Sequence, residues 1–452
     1  MGTLFTTLLN STGALRVYGR AFNVIQNNIT NANTPGYVKQ DQVLVSMPFQ
    51  PDQGVAGGVQ AGPTLSSRSP FLEQAVRGQN QLLGYSQQRA TDLAVIESQF
   101  DLTASYGVAN GLSGFFNAFS QLAVNPNDSV ARQGVLDQAA NVATSFNQTA
   151  IALQQVSTGV GKQTQDTVSG INRIADQIAG INKVYRASAS ASQDAGLDAQ
   201  LNSALEELSG LANYSVVRTA DGAANVFLGG QTILVFGDKS KDVSVDASSA
   251  QTIIRGSDGN DVTSQLTGGQ LGALLGEKNS TIPSYLDQLN SLAASFADNV
   301  NATLAQGVGR DGLTPPDLFS YNATAGAAVS LAVNTLTPDQ IAAALPSAPG
   351  GNGNAIAVAQ LANQSVANGF TFTEAFGNLG SRVGRDVSSA QNEQERYKDS
   401  VAQARQFRTD QTGVSLDEQA ALLLQFQQAY QAVGKLISIV NDLTQTVINI
   451  IQ

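Results

Sequence analysis

Residues 416–451 read LDEQAALLLQFQQAYQAVGKLISIVNDLTQTVINII, and this stretch decides the fold. Steps of three and four along it pick out Leu416, Gln419, Leu423, Phe426, Tyr430, Val433, Ile437, Val440, Thr444, Val447 and Ile451. An apolar residue every 3.5 positions is a coiled-coil seam, broken here only at Gln419 and Thr444. The other end of the chain repeats the pattern with Leu4, Leu8, Ser11, Leu15, Tyr18, Phe22, Ile25 and Ile29. A lone helix carrying such a stripe is marginal in water. Burying each of these side chains is worth roughly 1.5–3 kcal/mol, so the expected solution pairs the first helix with the last. Off the stripe stand small or amide residues (Gln26, Asn27, Gln425, Gln427, Gln428, Gln431) where a solvated helix would show Lys and Glu. Such faces suit packing against further protein, which points to assembly.

Between the two seams, residues 31–37 stop the first helix, and a Gly/Pro-rich, extended stretch follows to about Arg68. Ser69-Pro70 opens a helix to near Phe100, with Ser69 as cap and Pro70 at the first helical position. A second helical region covers about 129–186 and ends on Ile171, Ile174, Ile178, Ile181 and Tyr185 at three-four spacing. β-branched runs at 215–219, 226–228, 232–236 and 251–254, punctuated by Asp-Gly and Gly-Gly, predict a small antiparallel β domain over about 213–268. A helix over 283–306, a mixed Pro/Ala segment to about 353 and helix from about Phe372 onward complete the reading. The expected fold class is α+β: an elongated multidomain chain with terminal coiled-coil helices and a helical bundle carrying an inserted antiparallel β domain. Residues 1–40 with 412–452 form the terminal coiled-coil domain, 41–212 with 354–411 the helical body, and 213–353 the β-rich outer domain.

Composition removes whole classes of chemistry. The 452 residues include 24 Lys and Arg against 35 Asp and Glu, a net charge of −11, with no His, Cys or Trp. Ser-His and Cys-His nucleophile pairs, zinc fingers, haem ligation and disulfides are therefore excluded. The acid excess and the lack of any Lys/Arg cluster argue against nucleic acid. Apolar runs reach only five residues (341–345, 355–359, 420–424), short of the ~20 needed to span a bilayer, so no membrane insertion is expected. No basic lead precedes Leu4, Phe5, Leu8 and Leu9, so no cleaved signal peptide is expected.

Four motifs look chemical and read better as structure. Gly307-Val308-Gly309-Arg310-Asp311-Gly312 follows a helix and precedes Pro315-Pro316, whereas a dinucleotide loop lies between strand and helix. Gly159-Val160-Gly161-Lys162 lacks the first Gly and the closing Ser/Thr of a phosphate loop and sits in a helical pattern. Asp258-Gly259-Asn260-Asp261 lacks the ligand alternation of a calcium loop and reads as a hairpin turn. Glu206-Glu207 reads as a solvated helix face, because adjacent residues point in different directions. No catalytic, metal or cofactor site is expected.

Residues 27–40, NNITNANTPGYVKQ, with Asn31, Asn33, Thr34, Pro35, Gly36, Tyr37 and Gln40 as the motif, resemble the N-terminal signature of the axial proteins of the bacterial flagellum. Residues 413–420, GVSLDEQA, continuing in FQQAYQA at 426–432, are more specific. They resemble the hook-associated proteins of the hook–filament junction rather than hook protein or flagellin. Weaker matches are GGQLGALL at 268–275 and FTEAF at 372–376. The resemblance is dense at both ends of the chain and diffuse between them. Gly434 departs from the family, which usually places a larger helix former there, and the chain is short for the family, implying a reduced middle domain.

The resemblance implies a structural, non-enzymatic protein without cofactors. It implies export unfolded through the flagellar type III route and addition at the distal hook tip as a ring of its own copies. Its other implied partners are the hook protein, a second hook–filament junction protein and an export chaperone covering the C-terminal helix. The assembly seam then consists of Leu4, Leu8, Leu15, Tyr18, Phe22, Ile25, Ile29, Leu416, Leu423, Phe426, Tyr430, Val433, Ile437, Val440, Val447 and Ile451. Two alternatives stand beside this reading. One is another axial component, such as hook or distal rod protein. The other is a secreted hydrolase or binding module on flagellar-like ends; a hydrolase would need paired carboxylates ~5–9.5 Å apart in a cleft.

Overall fold

The structure, a computed structural model, describes residues 2–50, 55–100, 107–248, 251–367 and 369–451. Its class is α+β, with long helices towards both ends of the chain and small antiparallel sheets between. The chain divides into two compact units. Unit 1 is Met1–Leu82, Gly170–Asp242 and Tyr397–Gln452, and unit 2 is Leu83–Ser169 and Val243–Arg396. The segment 213–353, expected as one outer domain, is shared between them at residue 242.

Unit 1 opens with helix α1 (Gly2–Asn31) and a long hairpin of β1 (Gln40–Gln50) and β2 (Val55–Ser66), paired from Gln40↔Ser66 to Gln50↔Val55. The sequence suggested only an extended stretch here. Pro48, Gly57, Gly58, Gly62 and Pro63 interrupt the β-branched alternation that signals a strand. Helix α2 (Pro70–Glu97) starts where expected, with the Leu72 amide donating to Ser69 Oγ (3.4 Å). The stripe Ile171, Ile174, Ile178, Ile181 and Tyr185 at the end of α4 (Ser129–Ala187) is buried throughout. Helix α5 (Ala195–Leu211) is capped by Asp194, whose carboxylate accepts from the amides of Gly196 and Leu197. A four-stranded meander follows: β3 (Tyr214–Arg218), β4 (Ala224–Leu228), β5 (Thr232–Phe236) and β6 (Lys239–Ser240). Buried Asn182 ties α4 to it, accepting from the Ala224 amide and donating to the Ala224 and Gly237 carbonyls.

A network of ion pairs fastens three distant stretches of unit 1. Arg68 binds Glu73 and Asp198 and donates to the Gly36 carbonyl. Arg408, on the last turns of α10 (Phe372–Thr412), reaches Glu73 (3.0 Å) and Glu206 (2.7 Å), and Arg405 reaches Glu206 (2.8 Å). This corrects the expectation for Glu206-Glu207. Glu207 is exposed beside Arg173, but Glu206 is largely buried and doubly paired. Burial pushes the Glu206 carboxyl up, yet hydrogen bonds and charge from Arg408 and Arg405 outweigh it and hold the group below its ordinary range.

Unit 2 is built on an aromatic core. Helix α3 (Val108–Val124) supplies Phe115, Phe116 and Phe119, and α7 (Ile282–Leu304) supplies Tyr285 and Phe296. With Phe146, Phe319, Phe372 and Phe376 they are all buried, and Phe296 sits 5.1–6.3 Å, centroid to centroid, from five other rings. Such ring pairs add stabilisation beyond their area. The two-stranded sheet of β7 (Ser244–Asp246) and β8 (Ile253–Arg255) belongs here rather than with β3–β6. Asn279 holds it, accepting from the Thr252 amide and donating to the Thr252 carbonyl, both at 2.8 Å. The Gly307–Gly312 run is a loop after α7, closed by the Gly309 amide on the Leu313 carbonyl (2.8 Å).

Candidate assembly surface

Helix α11 (Leu416–Ile451) lies antiparallel to α1 within unit 1. Asn28, near the end of α1, meets Gln419 in the first turns of α11, while Tyr18 and Phe22 pack beside Phe426 (5.9 Å) and Tyr430 (6.1 Å). The two seams read from sequence therefore face each other. They are only partly covered, however. Ile25 and Val440 are buried, whereas Leu4, Leu8, Leu15, Tyr18, Phe22, Leu423, Phe426, Val433, Ile437 and Val447 are intermediate. Ile29, Leu416 and Tyr430 are exposed, and the Ile451 side chain lies outside the described residues. The facing helix supplies the hole for each knob but covers it on one side only, and full burial needs contacts from further neighbours.

Three features were missed from sequence. The first is a second buried face on α1, formed by Val17, Ala21 and Asn28. The hairpin lies along α1, with Gly58 beside Asn10 and Gln40 bonded to Asn28. The second is a row of exposed apolar side chains on α11 beside its seam: Leu436, Ile439 (59 %), Leu443 and Ile450 (77 %). The three-four spacing of Leu436, Ile439 and Leu443, with Ile450 seven residues on, was itself a signal, masked by the stronger seam. The third is an exposed pair one turn apart on α1, Phe5 (62 %) and Leu9 (54 %). The amide residues Gln26, Asn27, Gln425, Gln427, Gln428 and Gln431 are all exposed.

The motif residues form a joint. Asn31 Nδ2 donates to the Asn27 carbonyl (3.0 Å) and its Oδ1 accepts from Thr34 Oγ1 (3.1 Å), closing α1. Asn33, Thr34 and Pro35 are exposed on the turn. Gly36 has φ +76°, and a Cβ there would lie 2.8 Å from the Ala199 carbonyl oxygen, so only glycine fits. The Tyr37 hydroxyl donates to Asn28 Oδ1 (2.9 Å), and burial pushes its pKa up to about 12. The Gln40 amide donates to the same Oδ1 (3.0 Å), while Asn28 Nδ2 donates to the Gln40 carbonyl (2.8 Å) and to Gln419 Oε1 (2.9 Å). The Lys39 amide bonds the Thr412 carbonyl (2.9 Å), and Lys39 Nζ pairs with Glu418 (3.2 Å). The joint thus fixes where α1, the hairpin and α11 meet.

Among the described residues no helix is long and apolar enough to cross a membrane.

Residues 93–319, half of the chain, match the family model described as the flagellar hook-associated protein FlgK helical domain. Residues 406–450 match that of the flagellar basal body rod FlgEFG protein C-terminal region. The chain is 25% identical over 500 residues to flagellar hook-associated protein 1 of Bacillus subtilis (strain 168), covering 99% of each. It is 28% identical over 319 residues to flagellar hook-associated protein 1 of Salmonella typhimurium, covering 66% of this chain and 56% of that one. The solved flagellar hook junction protein FlgK from Burkholderia pseudomallei shares the fold, with a TM-score of 0.69 at 19% identity over 76% of this chain and all of that one.

Proposed function

Because this chain belongs to the family of the flagellar hook-associated protein FlgK, we infer that it is a structural protein of the bacterial flagellum, joining hook to filament. It adds at the distal hook tip through its terminal helices. There it would contact the hook protein below, a second junction protein above and neighbouring copies of itself. Its site is the seam of α1 and α11, from Leu4 to Ile29 and from Leu416 to Ile451, and no step of bond chemistry enters its work. Before assembly an export chaperone would cover the C-terminal helix, and the chain would leave the cell by the flagellar export route.

The observation that carries this reading is the half-covered seam. Helices α1 and α11 find each other, yet their knobs keep one side open, and a further apolar row stands beside them. A free chain holds such a surface at a cost that packing against neighbours removes, at ~25 cal/mol per Å² of apolar area covered.

Deletion of the gene tests it, scored by swimming, by electron microscopy and by flagellin in the medium. Bare hooks with flagellin leaking from the cells are expected. Absence of hooks would move the protein inward to rod or hook, and normal filaments would overturn the assignment.

A further inference from the structure

Unit 2 buries two carboxyl groups side by side. Asp92 on α2 and Glu277, the first residue of a π-helical turn (Glu277–Thr281) between α6 (Gly269–Gly276) and α7, are 4 % and 2 % exposed. Around them lies a chain of amides. Gln88 Nε2 donates to Asp92 Oδ2 (2.6 Å) and to Gln163 Oε1 on α4 (2.7 Å), while Gln270 Nε2 on α6 donates to Gln88 Oε1 (2.9 Å). Glu277 is different: both of its carboxylate oxygens are buried with no donor, and its carboxyl lies within hydrogen-bonding reach of Asp92.

The cations around the pair are engaged elsewhere. Arg89, on α2, has Nη1 3.8 Å from Glu393 on α10, and Lys278 Nζ donates to the Ser157 carbonyl (3.0 Å) and hydroxyl (2.9 Å) on α4. A buried carboxylate without a donor carries its desolvation penalty uncompensated, and two carboxylates sharing one site do not both ionise. A carboxylic acid, by contrast, supplies one O–H, and a carboxylate has lone pairs to receive it.

The geometry points to a proton-binding site in unit 2, in which Glu277 is a neutral carboxylic acid donating to the Asp92 carboxylate, so that folding takes up one proton at neutral pH. Burial and then the neighbouring Asp92 push the Glu277 carboxyl up to about 10, against a small opposing pull from Arg89. In the unfolded chain the same group titrates near 4.5. A folded pKa raised above the unfolded one gives stability that is whole in acid and is lost as pH rises from that lower value to the higher one. Glu277 opens the π turn that joins α6 to α7. Unit 2 is thereby built to hold more tightly as its surroundings acidify.

The test uses the full chain and its Glu277→Gln variant, which keeps the shape and supplies an amide donor to Asp92. Infrared spectra at pH 7–8 should show the carbonyl stretch of one protonated carboxyl in the parent and none in the variant. Between about pH 5.5 and 9 the unfolding constant of the parent should rise relative to the variant by up to about tenfold per pH unit, the slope for one linked proton. No such band, or parallel pH profiles for the two proteins, would overturn the proposal. So would stability that follows added sodium, potassium, magnesium or calcium rather than pH, since a cation would then stand where the proton is placed.

Discussion

Asn28 and Gln419 meet side chain to side chain across 391 residues, Asn28 Nδ2 donating to Gln419 Oε1 at 2.9 Å inside the junction of α1 and α11. The two amides are unequal. Asn28 makes four hydrogen bonds, to Gln40 twice, to Tyr37 and to Gln419, while Gln419 Nε2 is buried without a partner. A buried polar pair at one point of an apolar seam fixes register, because any slip leaves both groups unpaired.

That inequality sets an order of effects. Asn28→Leu strands the Gln40 amide and carbonyl and the Tyr37 hydroxyl, and should destabilise unit 1 by about 3 kcal/mol or more. Gln419→Met removes one bond together with an orphan amide and should cost about 1 kcal/mol or less. Urea unfolding of the full-length variants checks the order, and equal losses would mean that the joint does not depend on Asn28.

The ionic network of unit 1 makes a second claim. Arg408→Leu takes one of two cations from each of Glu73 and Glu206, which keep Arg68 and Arg405, a loss of about 1.5–3 kcal/mol. The same network fixes the sign of one pH effect. Glu206 is held below its ordinary range by Arg408 and Arg405 against burial, so its stabilisation is present above the unfolded value and is lost as pH falls through the folded one. Acid unfolding of Glu206→Gln should therefore start from lower stability and fall less steeply than in the parent, and a steeper fall would refute the pairing.

Which of these features could be read in advance follows from how far apart their causes lie. The seams were legible because a 3.5-residue period repeats within one helix, and the start of α2 because Ser69 and Pro70 act on their own first turn. The partners of Glu206 lie 199 and 202 residues away, so nothing local marked it as buried. Asn28 lies in an amide-rich stretch, NNITNAN, where nothing local set it apart, although its four bonds tie α1 to the hairpin and to α11. The hairpin stayed hidden because glycine and proline dilute the alternation in β2. Division of the β-branched runs between two units was equally illegible, since it depends on Asn279 capturing Thr252 from beyond the sheet.

Gly36 carries a third prediction. Its positive φ, and the mere 2.8 Å that would separate a Cβ from the Ala199 carbonyl oxygen, leave no room for a side chain. Gly36→Ala should cost about 1–3 kcal/mol, and it should also loosen the Arg68 contact to the Gly36 carbonyl (2.6 Å). Melting of the purified chain decides this, with unchanged stability counting against the tight turn.

The last prediction separates folding from assembly. Leu436, Ile439 and Leu443 stand exposed on the flank of α11 beside its seam, so a charge there meets water in the free chain and changes stability by no more than about 0.5 kcal/mol. If that row is covered when copies join, the same charge becomes buried and unpaired, a cost of several kcal/mol per contact. Ile439→Asp and Leu443→Asp should therefore melt like the parent yet fail to restore filaments in a deletion strain. Leu423→Asp and Ile437→Asp, on the seam itself, should lose both the α1–α11 pairing and incorporation while leaving unit 2 folded. Swimming restored by Ile439→Asp would show that the flanking row faces solvent in the assembled flagellum, and it would confine the assembly surface to the seam.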